Sequence, residues 1–429
     1  MHNKDHSIIS PGKAVQLDDS VYWIGALDPK LRTFDIILKT ANGTSYNAYL
    51  IQGAEGDAIV DTVKEEFADE FFQRLESVTD YSRIKYIILN HLEPDHTGAL
   101  PELLRRAPQA HVYISQRAQG MLKALLKDSR EELKYTAVGT GDQVSLGNCT
   151  LTFLNTPFLH WPDTQCTYLQ ERQILFSGDV FGCHYCDNRL FNDKVGDFHF
   201  SFKYYYAHIM RPFKQWVLEA LNLIEPLSLS MIAPTHGPIL RDRPRRYVNQ
   251  YREFATSRLS GELISHDKTL IIFYMSSYGN TARMAEAISA GAERIDGVRV
   301  SLYDLEGCEM EPFVDLIEEA DGLLFGSPTI NGDAVKPVWD LLSSLVVVNL
   351  KGKLGAAFGS YGWSGEALNM IEDRMRGLKM RVPRHGIRLK LIPTEDELHE
   401  CRSFGQEIAE ILVGVAKNTK VLELADLQG

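Results

Sequence analysis

The first part of the chain is a series of short apolar runs separated by turn residues. Ser20–Leu27, Ser45–Gln52, Ala58–Val63, Lys85–His91, His111–Ser115 and Thr150–Asn155 have the length and composition of strands. Helical spacing lies between some of them, at Lys64–Ser77 and Ala118–Leu126, and later at Tyr204–Leu223 and Arg243–Arg258. The mixture predicts sheets with helices packed on them, an α+β or layered α/β body.

The rhythm changes near Ser260–Lys268, where Gly261, Ser265 and Asp267 suggest a connector. We place a domain boundary there, giving residues 1–262 and 263–415, with a peripheral tail over 416–429. Beyond the boundary strands and helices alternate strictly. Thr269–Met275, Arg299–Leu305, Gly322–Gly326, Leu354–Phe358 and Ile387–Leu391 read as strands. Ala282–Ile295, Pro312–Ala320, Val335–Val346, Glu366–Arg376 and about Glu395 to Val413 read as helices. Five strands in that pattern predict a doubly wound parallel sheet.

Composition narrows the class. The 429 residues suggest about two or three domains. With 44% apolar and 24% charged residues, disorder, collagen and coiled coil are excluded as the main state. The charge is 45 − 57 = −12, which argues against a nucleic-acid partner. No apolar run approaches the roughly 20 residues of a membrane span, and the polar start Met1–Ser10 does not read as a signal peptide. The six cysteines are sparse, as expected in a reducing cytoplasm. These features predict a cytoplasmic protein with neither membrane nor nucleic acid as partner.

The run Lys85–His96 carries the strongest chemical signal. An apolar strand delivers His91, Glu93, Asp95 and His96 into one loop. Such groups are costly to bury unless they pair or bind metal. Three more apolar segments end in a ligand-type residue: His160 follows Leu151–Pro157, Asp179 ends Gln173–Asp179, and His236 ends Ser230–His236. Seven donors exceed one tetrahedral ion and suit two metals sharing a carboxylate. Three carboxylates and a bridging hydroxide would balance two divalent ions, which matters in a partly dry cavity.

His91-x-Glu93-x-Asp95-His96 resembles the His-x-His-x-Asp-His signature of the metallo-β-lactamase fold, with Glu in place of the second His. That replacement, with His160, Asp179 and His236, resembles the flavodiiron proteins. The resemblance implies an N-terminal αββα sandwich holding two non-haem irons. One would take His91, Glu93 and His160; the other would take Asp95, His96 and His236; Asp179 would bridge them. An anionic oxygen in place of an imidazole favours oxidised iron over zinc. Tyr204–His208 resembles a family segment that brings a tyrosine toward the irons, so Tyr205 or Tyr206 is expected to donate a hydrogen bond there. Relatives often have Asn where His208 stands, and His where Asp35 stands. Cys183-His-Tyr-Cys186 reads as loop residues, as a redox pair or as half of a zinc site, for which no second Cys pair is available.

In the second half, Ser276, Ser277, Tyr278, Gly279, Asn280 and Thr281 lie between a strand and a helix. Small hydroxyl residues and Gly at a helix N-terminus suit a phosphate. The loop has no Lys or Arg and is not a Walker A site. Ser327, Pro328, Thr329 and Asn331 follow the next central strand, and Ser360, Tyr361, Gly362, Trp363 and Gly365 follow another. In a doubly wound sheet these loops gather at the carboxyl edge. All three look like the loops of flavodoxin that bind FMN.

The combined resemblance implies an oxidoreductase. FMN would receive electrons and the irons would reduce dioxygen to water, nitric oxide to nitrous oxide, or both. With no fused rubredoxin-type module, electrons are expected from a rubredoxin-like or other external donor. Relatives are built as head-to-tail dimers, so a homodimer or homotetramer is expected. The rival is a zinc-dependent metallohydrolase with an accessory flavodoxin domain.

Overall fold

The computed structural model describes residues 9–34, 38–127, 133–256, 267–307 and 311–414. Asp35, most of the expected connector with its boundary at 262, Cys308 and the tail 416–429 lie outside the described residues. The chain divides into two compact units, Met1–Ser257 and Arg258–Gly429.

The first unit holds a seven-stranded and a five-stranded sheet. The larger contains Tyr49–Ile51, Asp57–Val60, Ile84–Ile88 and His111–Ser115 at its centre; the smaller runs from Gln143–Ser145 to Met231–Pro234. Alternation sorts the side chains. Ala58, Val60 and Ile88 of one sheet share a core with Phe153, Phe176 and Ala233 of the other. Ile59, Ile87, Leu154 and Leu175 point the other way, into a core with helical residues such as Phe71, Leu103, Leu221 and Tyr251. Strands buried on both faces read as continuous apolar runs, which explains their appearance in the sequence. The result is the expected αββα sandwich.

Two expected strands are broken. Ser20–Leu27 splits into Val21–Trp23 and Ala26–Asp28. The break is at Gly25, where an added Cβ would lie 2.2 Å from the carbonyl oxygen of Tyr46. Ser45–Gln52 splits into Thr44–Tyr46 and Tyr49–Ile51 around Asn47, whose amide donates to the carbonyl of Thr235. The expected long helix Tyr204–Leu223 is also interrupted. His199–Tyr205 is α-helical, Tyr206–Met210 widens to a π-turn, Arg211–Phe213 tightens, and Lys214–Ile224 is α-helical again. Pro212 lacks the N–H an unbroken helix would need there.

The second unit is the expected doubly wound sheet. Five parallel strands lie in the order Val298–Asp304, Lys268–Tyr274, Gly322–Gly326, Leu354–Tyr361, Ile387–Lys390. This is the 2-1-3-4-5 order of flavodoxin-like folds. A short hairpin, Thr329–Ile330 with Asp333–Ala334, extends beside the fourth strand. Helices cover both faces, with Ile271 and Phe273 facing one core and Leu270 and Ile272 the other.

Candidate functional site

All seven donors of the first unit converge. The strand Ile84–Ile88 leads to His91 and Glu93, and Pro94 opens the short helix Pro94–Thr97 that carries Asp95 and His96. Thr62 holds that helix by donating its amide and hydroxyl to the His96 carbonyl, at 2.9 and 2.7 Å. His160 lies between strands Thr150–Asn155 and Gln165–Leu169; Asp179 follows Ile174–Gly178; His236 follows Met231–Pro234.

The two oxygens of Asp179 face different partners. Its Oδ2 lies 3.7 Å from His91 Nε2 and 3.4 Å from His160 Nε2, and both imidazoles meet Glu93 Oε2, at 3.1 and 3.0 Å. Its Oδ1 lies 3.3 Å from His96 Nε2 and 3.7 Å from His236 Nε2, and these meet the two oxygens of Asp95, at 3.3 and 3.2 Å. His96 is close enough to belong to either group, since donor atoms of His91, Glu93, His96 and Asp179 lie within 4.8 Å of one another, as do those of Asp95, His96 and His236.

Burial opposes the charges of His91, Glu93, His96, His160 and Asp179, and mutual pairing outweighs it. His96 is pushed up to about 9 against its burial by Asp95 and Asp179. His160 is pushed up to about 9 against its burial by Asp179 and Glu93. His91 is raised well above its ordinary value because Asp163 and Glu93 outweigh its burial. Asp179 is held well below the carboxylate range, against its burial, chiefly by His96 and His160. Glu93 is lowered against its burial by His160 and His91. Pairing still leaves both oxygens of Asp95 and both nitrogens of His96 buried without a hydrogen bond. Cations among the donors would satisfy the Asp95 oxygens and His96 Nε2, so the donor set fits a pair of metal ions. A cavity of about 200 Å³, lined by Leu31, Thr33, Phe34, Tyr46, Lys64, Glu93, Pro94 and Asp95, adjoins the donors.

In the second unit the three expected loops meet at the carboxyl edge of the sheet. The backbone of Thr329 pairs with that of Tyr361, and the Ser327 amide donates to the Phe358 carbonyl at 3.1 Å. Thr281 Oγ1 and Ser360 Oγ are 2.9 Å apart, joining the first loop to the third. Ser276 Oγ accepts from the Ala282 amide at 3.1 Å, and Gly279, at φ +80°, precedes the helix Asn280–Ala292. Ser277 lies in this first loop, and Asn280 opens the helix that follows it. Pro328 and Asn331, the latter at φ +54°, complete the second; Gly362 and Gly365 flank Trp363 in the third. Tyr278 is 91% exposed and Trp363 is 76% exposed, so neither ring is core packing.

A family model described as ODP family beta lactamase matches residues 44–237, and one described as flavodoxin matches residues 272–405. The chain is 59% identical to the type A flavoprotein fprA of Rhodobacter capsulatus, over 96% of this chain and 94% of that one. The chain belongs to the flavodiiron family of type A flavoproteins. It is also 36% identical to the nitric oxide reductase of Moorella thermoacetica, over 92% of this chain and 98% of the relative. Among solved structures, the rubredoxin oxygen:oxidoreductase of Desulfovibrio gigas superposes with a TM-score of 0.66 at 29% identity, covering 94% of this chain and 99% of that one. A flavodiiron protein is an oxidoreductase, and the zinc-hydrolase reading falls away.

The two candidate tyrosines part company. Tyr205 is buried, with its ring centroid 6.3 Å from that of His236 and 5.0 Å from that of His184. Burial and then the charges of Asp179, Tyr251, Asp95 and Glu93 push its phenol up. Tyr206 faces an aromatic cluster instead, 5.0 Å from Tyr251 and 5.0 Å from Phe254. His208 turns back on its own helix, its ring 3.9 Å from that of Tyr204. Cys183 is buried, and its Sγ lies 2.7 Å from where a Cβ on Gly237 would stand. Both Cys183 and Cys186 are free thiols outside the donor set.

Sequence reading passed over the groups that stand behind the donors. His236 Nδ1 donates to the Ser45 carbonyl at 2.7 Å. Asn47 Nδ2 donates to the carbonyls of Pro234 and Gly237, at 2.8 and 2.9 Å, bracketing His236 on both sides. Asp163 Oδ2 lies 3.1 Å from His91 Nδ1. His184, between the two cysteines, is buried with Nδ1 3.0 Å from Thr44 Oγ1 and no partner for Nε2. The available signals were an Asp three residues after His160 and a His inside the Cys-x-x-Cys run.

Proposed function

We propose that the seven donors hold two irons, that the loop cluster of the second unit holds FMN, and that the protein reduces dioxygen to water, nitric oxide to nitrous oxide, or both. The division of the donors about Asp179 carries this reading. His91, Glu93 and His160 would hold one iron, Asp95, His96 and His236 the other, with one oxygen of Asp179 turned to each. The backbone and hydroxyls of Ser276–Thr281 would hold the FMN phosphate, with Tyr278, Tyr361 and Trp363 beside the flat ring. When bound, the irons supply redox-active coordination sites for a diatomic molecule and the flavin supplies electrons to them.

The protein's own groups position and exclude. Most of the donors are buried, and the adjoining cavity, which reaches Glu93 and Asp95, has room for molecules of diatomic size. The carbonyl of Ser45 fixes the tautomer of His236 and leaves its Nε2 lone pair free. Tyr205, whose ring lies 6.3 Å from that of His236, would offer a hydrogen bond to an oxygen atom in the site.

Electrons enter from an external donor, with a rubredoxin-like protein the default by kinship. The two sites belong to separate compact units, and a body of about 257 residues has a radius of gyration of roughly 18 Å. A head-to-tail homodimer, or a pair of such dimers, brings one chain's flavin to the other chain's irons. Turnover is then lost when the assembly is diluted to monomers. Metal analysis followed by anaerobic reduction and stopped-flow mixing with each gas tests the core of the reading. Iron near two per chain and rapid reoxidation by at least one gas are expected; zinc, or indifference to both gases, overturns it.

A further inference from the structure

A fourth carboxylate stands behind the donors, and the function above makes no use of it. Asp163 is 1% exposed and lies in the loop that carries His160. Its Oδ2 accepts from the Leu92 amide at 2.7 Å and lies 3.1 Å from His91 Nδ1. Its backbone carbonyl accepts from Ser115 Oγ at 2.6 Å, which pins the loop to the end of the strand His111–Ser115. Its Oδ1 is buried and has no hydrogen bond.

This geometry selects a tautomer. Nδ1 and Nε2 each lie 3.1 Å from a carboxylate oxygen, Asp163 Oδ2 and Glu93 Oε2; with a metal ion seated among Nε2, Glu93 and Asp179, the ring proton goes to Nδ1 and is donated to Asp163. The Leu92 amide also comes within 3.0 Å of His91 Nδ1, but its shorter contact is with the carboxylate. His91 Nε2 therefore keeps its lone pair toward Glu93 and Asp179. The opposite half of the site differs. His236 is backed by the neutral carbonyl of Ser45, and Nδ1 of His96 has no hydrogen-bond partner. A carboxylate behind a ligating imidazole raises its basicity more than a neutral carbonyl does.

We propose that Asp163 is a positioning residue: it holds His91 on the metal through Nε2 and hydrogen-bonds a negative charge to the back of that imidazole, whereas neither His96 nor His236 has a carboxylate on its Nδ1. The two irons are then inequivalent, and the one held by His91 is the harder to reduce. The inference rests on the diiron reading above.

The test uses the full-length, iron-loaded protein. Iron content and an EPR-monitored redox titration of the diiron centre are compared for wild type, Asp163→Asn and Asp163→Glu. Asn preserves the shape and removes the charge, so its centre should titrate at higher potentials with a narrower range of the mixed-valent signal. Glu keeps the charge and should stay near wild type. The shift caused by Asp163→Asn should also vanish in a His91→Asn background, because the effect passes through that imidazole. Should Asp163→Asn fail to fold, a crystal structure of the iron-loaded wild type decides. Nε2 of His91 within about 2.2 Å of iron supports the proposal, and an imidazole turned off the metal overturns it. Potentials in Asp163→Asn equal to wild type, or Asn and Glu behaving alike, also overturn it. Wild-type protein without two irons per chain would instead sink the diiron reading itself.

Discussion

The two candidate sites are built by opposite means. In the first unit side chains would do the holding: the seven donors come from the turns, and from the one short helix, that follow strand ends, and six are less than a tenth exposed. In the second, backbone and small hydroxyls would do it, and the large rings Tyr278 and Trp363 stand in solvent. Ions of roughly 2 Å bond length need donors set to within a fraction of an ångström, which only packed surroundings supply. A phosphate and a flat ring tolerate more latitude, and oriented backbone dipoles suffice. The first site should therefore fail abruptly on substitution and the second gradually.

The largest effect is expected at Asp179. Asp179→Ala removes the group both donor sets share, so iron should fall well below two per chain while FMN stays bound. Gas reduction should drop by several orders of magnitude. Metal analysis beside the flavin absorbance checks this, and a variant that keeps both irons would break the contrast.

Trp363→Ala should act on the flavin side alone. Losing one exposed ring contact costs about 1 kcal/mol or slightly more, so FMN affinity should weaken roughly tenfold with iron unchanged. Fluorescence titration of the flavin-stripped protein measures it. Complete loss of FMN would mean that the second site is no more tolerant than the first.

The smallest effects separate the tyrosines. Tyr205→Phe keeps the ring and removes the hydroxyl beside the donors, and should lower turnover a few-fold with little change in melting temperature. Tyr206→Phe, in the aromatic cluster, should leave turnover within experimental scatter. Steady-state gas consumption for both variants sharpens the assignment, and equal losses would refute it.

That pair also shows where sequence runs out. His91, Glu93, Asp95 and His96 were legible because one strand end delivers all of them within six residues. The parallel sheet was legible because its five strand periods alternate with helix periods, while the short hairpin Thr329–Ala334 left no such signal. Tyr205 and Tyr206 are adjacent on a helix, so about 100° of rotation separates them, and the phase was hidden by the π-turn at Tyr206–Met210. Asp163 was illegible because its partner His91 lies 72 residues earlier, and only folding brings the loop back. The breaks at Gly25 and Asn47 were missed for the same reason, since the groups they meet come from distant segments.

Asn47 deserves a last consequence. Its amide spans the carbonyls on either side of His236, its oxygen accepts from the indole of buried Trp23, and Tyr49 donates to the Pro234 carbonyl as well. Every tie runs to protein, and none depends on an ion. The turn that carries His236 is thus shaped by its scaffold in advance, so iron can enter a finished receptacle and leave it without dragging the fold along.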